Sequence, residues 1–277
     1  MNVPIAAEPI FQLGSFPVTN AYINSTIALV LFVIFAIILR TRIQKIPGKL
    51  QNATESLLEF LLGYFDQVTQ DREKSKKFLP LCGTLFLFIL ISNWMGLFPG
   101  TGSIGRWIMH EGHLVLAPIL RPANSDLNLT LAMAAVSVIF SHLLGMVTLG
   151  FFVHWNKFIQ IGTVAKALIT LNPVKILTAL VEFVVGIIEL FSEVAKVVSL
   201  SLRLFGNIFA GEVLITVISS LFAFALPIPF MALELIVGVV QATVFTLLTL
   251  VYLTVATEKP HGDEEHAKEE HAHAPAH

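Results

Sequence analysis

Between Glu189 and Glu212 the chain reads ELFSEVAKVVSLSLRLFGNIFAGE, and inside that stretch Arg203 stands among Leu202, Leu204 and Phe205. An arginine keeps its charge under any biological condition, whereas a buried lysine can lose its proton. At mid-bilayer an arginine costs about 2.5–3.5 kcal/mol on insertion scales, so its presence in an apolar run marks work with ions. A fixed cation next to a passing carboxylate lowers that carboxylate's pKa by about 1–3 units, which favours proton release on approach and proton uptake on departure. At about 100° per residue, Glu182, Glu189, Glu193, Lys196, Ser199, Arg203 and Asn207 fall within roughly 120° of one another on a helix. Glu212 points to nearly the opposite side. A stripe of this kind must face water, protein or both.

The elements that position these residues follow from composition. The chain has 277 residues, 55% of them apolar and 13% charged. Soluble domains reach about 45–50% apolar even with glycine counted. Several apolar runs attain the roughly 20 residues needed to cross a bilayer. The class is therefore an all-α polytopic membrane protein, with about five membrane-crossing helices and one amphipathic surface helix. The net charge of −2 argues neither for nor against nucleic acid; no nucleic-acid partner is expected, and membrane lipids are. The single cysteine, Cys82, permits no intrachain disulfide and reads as an inert core thiol. No cofactor or metal is expected.

In chain order, residues 1–21 form an external N-terminal segment without a basic leader, so the first apolar run reads as a retained span. Residues 22–98 hold two spans, about Tyr22 to Leu39 and Phe78 to Phe98. Between them lies an amphipathic connector whose Leu57, Leu58, Phe60, Leu61, Tyr64, Phe65 and Val68 recur at three and four. That spacing suits a helix on the membrane surface or an ordinary packed helix. Residues 99–125 form an external loop, and 126–172 a third span, to about Phe152, followed by a lysine-bearing connector. Residues 173–257 form a long helix pair, broken at Leu226-Pro227-Ile228-Pro229. The segment Val174–Ser220 would make a helix of about 70 Å, over twice the hydrocarbon core. It must tilt or fold as a hairpin near Glu189–Lys196; ELFSEVAK has no turn residues, which favours tilt. The tail 258–277 is charged, His-rich and expected to be disordered.

Eleven of the seventeen Lys and Arg residues sit in the connectors 40–77 and 157–175, against Arg106 and Arg121 in the loop between them. The positive-inside rule then puts the N-terminus outside and the C-terminus in the cytoplasm, with a bacterial plasma (inner) membrane as the expected residence.

The run SLSLRLFGNIFAGE, followed by ELIVGVVQATVFTLLTLVYL and preceded by DLN at Asp126, resembles the a subunit (subunit 6 type) of the membrane F0 sector of F-type ATP synthases. The resemblance covers most of the chain. It implies a stator beside a rotating ring of c subunits, each bearing a carboxylate. Peripheral-stalk b subunits and other ATP synthase subunits are the implied further partners. Two offset aqueous half-channels would carry protons, or in some members sodium ions, to and from the ring. By position, Arg203 matches the family's essential arginine and Gln241 the glutamine facing it. Glu212 and Glu234 match the pair lining the outer half-channel, where many relatives carry one His; two Glu residues rule out a histidine relay there. Glu189, with Ser199 and Asn207, matches the cytoplasmic half-channel, and Asp126 and Asn128 the polar start of span three. Relatives often have proline where Val197 follows Lys196, which leaves the helix shape there open.

Simpler roles stand beside these. Arg203 could lock to Glu189 or Glu193 as a structural ion pair, Gln241 could form an interhelical hydrogen bond, and Asp126 could be a helix N-cap. Glu212 or Glu234 could be a buried protonated acid, and Asn128 merely interfacial. Glu182, Glu193 and Lys196 suit a solvated face as well as a channel, and His142, with no acid nearby in sequence, reads as a packed polar group. The expected function is ion translocation without covalent chemistry in this chain. The rival is a self-contained ion-coupled secondary transporter, in which Arg203 binds an anionic substrate. An intramembrane hydrolase finds no nucleophile–His pair or metal spacing.

Overall fold

The computed structural model describes residues 7–14, 16–98, 105–110, 113–158, 173–222 and 225–258. Four helices, Asn20–Thr41, Arg72–Met95, Leu127–Leu149 and Pro227–Thr257, are long and apolar enough to cross a membrane. The protein is an all-α polytopic membrane protein. It divides into two compact units, residues 1–135 with 198–250 and residues 136–197 with 251–277.

The first unit opens with an antiparallel hairpin, β1 (Pro9–Leu13) and β2 (Phe16–Thr19). Thr19 then caps α1 (Asn20–Thr41), its hydroxyl accepting from the Tyr22 amide at 3.3 Å. Helix α1 buries Asn20, Ala21, Asn24 and Ala28, while Leu31, Ile34 and Ile38 stay exposed. Small residues on one face let a neighbouring backbone approach closely, and the apolar remainder suits lipid. Helix α2 (Lys49–Thr69) buries Leu61, Leu62 and Phe65 and leaves Leu58, Phe60 and Tyr64 exposed, so its apolar stripe is part packed and part free. Gln70 in the left-handed region ends α2, and Asp71 caps α3 (Arg72–Met95) through the Glu73 amide at 2.9 Å. Helix α3 starts six residues before the expected Phe78. Its cap lies in the charged run rather than at the apolar boundary, and hydropathy does not mark caps. Buried Ser75, Phe78, Cys82, Phe86, Ile89 and Asn93 form its seam at steps of three and four.

A second hairpin, β3 (Gly105–His110) and β4 (His113–Pro118), follows. Neither hairpin is visible in the sequence pattern. They are tied to other segments instead: Arg106 Nη1 donates to the Ile10 carbonyl at 2.8 Å, and Asn20 Nδ2 to the Pro118 carbonyl at 3.3 Å. A 3-10 turn at Ala123–Ser125 leads into α4 (Leu127–Leu149), which enters the second unit at Val136.

In the second unit α4 ends at Leu149, earlier than the expected Phe152. Gly150, at φ +92, turns the chain into a separate short helix, α5 (Phe151–Phe158); a residue with a Cβ adopts that backbone only with strain.

The segment Pro173–Leu221 is a single helix, α6, of 49 residues. It does not fold back at ELFSEVAK, and it runs unbroken through Val197. At 1.5 Å per residue its length is about 73 Å. The last helix, α7 (Pro227–Thr257), begins at the Pro-rich break. The tail from residue 259 onward and the connector around Lys166 lie outside the described residues.

Candidate functional site

Within the first unit, Leu200, Leu204, Ile208 and Gly211 of α6 are buried, a seam at steps of three and four that packs against the unit's other helices. That seam decides where the polar residues of α6 go. Ser199, Arg203 and Asn207 are left exposed, and Gln241 of α7 is half-buried. None of these four side chains makes a hydrogen bond or ion pair with another described residue. A guanidinium on a helix of a membrane protein is costly without a neutralising partner, and none is found among the described residues. The alternative in which Arg203 locks to Glu189 or Glu193 finds no such contact among the described residues.

On the buried side, Glu212 meets a residue that sequence reasoning did not single out. Arg121, 2% exposed, donates from Nε to Glu212 Oε1 at 2.9 Å and Oε2 at 3.0 Å. Its guanidinium also lies 6.0 Å from the Phe209 ring centroid. The arginine stands in the stretch after β4, where Asn24 Nδ2 of α1 binds its carbonyl at 2.6 Å. Nothing local marks it, because it lies 91 positions from its acid. Two asparagines brace the same region. Asn124 Nδ2 donates to Asn93 Oδ1 at 2.7 Å, and Asn93 Nδ2 donates to the Gly238 carbonyl at 3.3 Å. Trp94 Nε1 reaches the Leu235 carbonyl at 3.2 Å. These bonds fix α7 in the turn that follows Glu234.

The Glu234 carboxylate rests directly against Gly211, and a Cβ at that position would land on it. Glycine at 211 is thus what gives the acid its place against α6. Glu234 Oε1 is buried and has no hydrogen-bond partner among the described residues. A buried carboxyl oxygen in that state calls for a proton or a water. Asp126 sits at the start of α4, where its Oδ1 accepts from the amide and the side-chain nitrogen of Asn128 at 3.0 and 3.2 Å. That is the geometry of an N-cap.

The second unit contains another polar group. Glu189, Glu193 and Lys196 of α6, His142 of α4, His154 of α5 and Tyr252 of α7 line one small pocket of about 10 Å³. Glu193 is held from two sides, by Lys196 Nζ at 2.6 Å and by His142 Nε2 at 3.3 Å. His142 Nδ1 is 3.2 Å from His154 Nε2. The expectation that His142 is a packed group away from any acid is therefore corrected. Glu193 lies 51 residues further along the chain, and only the packing of α4 on α6 joins them. The Glu193–Lys196 pair was legible, being three apart on one helix. Among the described residues no three His, Cys, Asp or Glu side chains are placed to hold a metal ion.

Comparison with known proteins identifies the family. A family model described as ATP synthase A chain matches residues 22–254. The ATP synthase subunit a of Moorella thermoacetica is 31% identical over 244 residues, 88% of this chain and 93% of that protein. Those of Mycobacterium ulcerans and Mycobacterium bovis are 31% and 32% identical, over 87% and 92% of this chain and the same shares of each relative. The chain belongs to the ATP synthase subunit a family. It is an integral membrane protein, and as a subunit a family member it is a component of an ATP synthase rather than a self-contained transporter. The matched span, 22–254, includes Arg203, Glu212, Glu234 and Gln241 and stops before the His-rich tail.

Proposed function

We propose that the chain is the stator subunit of a rotary F-type ATP synthase that conducts protons to and from a c-subunit ring, and that it performs no covalent chemistry itself. One observation carries the reading: Arg203 is exposed on α6 with no counter-charge among the described residues. A ring carboxylate is a partner of the right charge. As it approaches, the guanidinium favours its ionised form; as it leaves, it takes up a proton from water. The same fixed charge repels a proton hopping directly past it. Each charge that crosses the full potential is worth about 2.3 kcal/mol per 100 mV, and that work passes through ring movement.

Glu212 and Glu234 belong, in this reading, to the half-channel open to the outside, with Asp126 and Asn128 near its mouth. Glu189 belongs to the half-channel open to the cytoplasm, with Ser199 and Asn207 on the exposed face toward the ring. Gln241 faces Arg203 from α7. The N-terminus is outside, the C-terminus is cytoplasmic, and the b subunits of the peripheral stalk hold the assembly in a bacterial plasma membrane.

Arg203→Ala is expected to abolish ATP synthesis and coupled pumping in complexes that still assemble. Near-normal coupled activity in that variant would refute the assignment. Purification offers a cheaper check, because the stator should bring with it many copies of a small two-helix subunit.

A further inference from the structure

We propose that the His142–His154–Glu193 array is a proton-binding relay that collects protons from the cytoplasmic side and delivers them to Glu189. The proposal deepens the ion-translocating reading above and rests on it.

Geometry comes first. His142 uses both ring nitrogens, Nε2 at 3.3 Å from Glu193 Oε2 and Nδ1 at 3.2 Å from His154 Nε2. An imidazole bonded at both nitrogens can take a proton at one and release a proton from the other without turning. The step balances. It starts from His154 protonated at both ring nitrogens and His142 neutral with its proton on Nε2. The N–H bond at His154 Nε2 breaks as one forms at His142 Nδ1, and the N–H bond at His142 Nε2 breaks as an O–H bond forms at Glu193, which leaves both rings neutral. One proton has then moved from His154 to Glu193, and both imidazoles remain intact. Glu189 lies one helical turn before Glu193 and lines the same cavity.

Charge comes second. The titratable groups facing His142 are Glu189, Glu193 and Lys196 from α6, His154 from α5 and Tyr252 from α7. Two carboxylates against one ammonium leave one negative charge, which a single extra proton on the imidazole pair balances. Lys196 is held at Glu193 by its 2.6 Å bond and lies 5.3 Å from the Tyr252 ring centroid, so its own charge is already engaged. Imidazole is the side chain that exchanges protons between about pH 5 and 8 without special tuning. The pocket has room for about one water, the medium that would bring protons in. In the expected orientation, this end of α4 and α7 faces the cytoplasm.

The test uses the whole ATP synthase reconstituted in liposomes, with ATP-driven proton pumping followed while the pH on the cytoplasmic face is varied. His142→Gln keeps a hydrogen-bonding side chain but cannot relay. Its pumping should fall several-fold more at about pH 9 than at about pH 6, where protons are plentiful, and Glu193→Gln should show the same skewed profile. Added imidazole buffer should restore much of the loss in His142→Ala. Wild-type rates and profiles in both Gln variants would overturn the proposal. So would a uniform loss at every pH without imidazole rescue, or failure of both variants to assemble, since each marks a structural role. Arg203→Ala, run in parallel, separates the two levels. Pumping that persists there sinks the stator reading, whereas a flat His142→Gln profile beside a dead Arg203→Ala sinks only the relay.

Discussion

The chain builds two ion pairs on the same helix, Arg121–Glu212 and His142–Glu193, and they differ in what the cation can do. Arg121 is almost completely buried, bonded to both oxygens of its acid, and never gives up its proton. His142 is about a quarter exposed and touches one oxygen of its acid and one nitrogen of a second imidazole. The first is therefore a fixed charge seated on one acid; the second is a ring held between an acid and another imidazole. In the proposed reading, the path's permanent and exchangeable charges then lie in separate regions. The sequence departure at Glu212 and Glu234 fits this division, since the histidines that are absent there occur in the other unit.

The contrast can be broken most severely at Arg121. Arg121→Leu strands Glu212 in a buried site, and removing one partner of such a pair costs about 3–5 kcal/mol. The expected outcome is a marked loss of the subunit from purified complexes after mild heating, at every pH, with partial recovery in Arg121→Leu/Glu212→Leu. A pH-selective loss that spares assembly would mean that Arg121 behaves like the histidine cluster. Next in size is Gly211→Ala, whose Cβ would displace the Glu234 carboxylate. Proton flux should drop several-fold while the complex assembles; Gly63→Ala, where an added Cβ meets nothing, is the control with unchanged flux. Equal rates in both variants would remove the Glu234 position from the inlet. The smallest effect is expected at Asp126. If its work is capping α4, Asp126→Asn keeps flux and stability, while Asp126→Ala costs about 1 kcal/mol. A slow but stable Asp126→Asn variant would instead assign the carboxylate to the pathway.

Much of this was legible before any coordinates. Arg203 in an apolar run, the polar stripe on a Pro-free segment, the break at 226–229 and the amphipathic α2 all depend on neighbours within a few turns, and helix periodicity reports such relations directly. The continuous α6 followed from the absence of turn residues in ELFSEVAK. The caps at Thr19 and Asp71 and the turn at Gly150 were harder, because a cap is a single bond that shifts a boundary without changing hydropathy.

By itself, then, the amino-acid sequence determined that the protein spans a membrane, that α6 is polar on one face, and which family it resembles. The order of apolar and charged residues along each helix is enough for that, since a bilayer imposes one length and one solvent on every span. Tertiary structure alone decided that Arg121 is the partner of Glu212, that Gly211 seats Glu234, and that His142 and His154 converge on Glu193. Those contacts join residues far apart in the chain, and what selects them is the meeting of packed seams, such as Leu200–Leu204–Ile208–Gly211, which no local pattern of charges encodes.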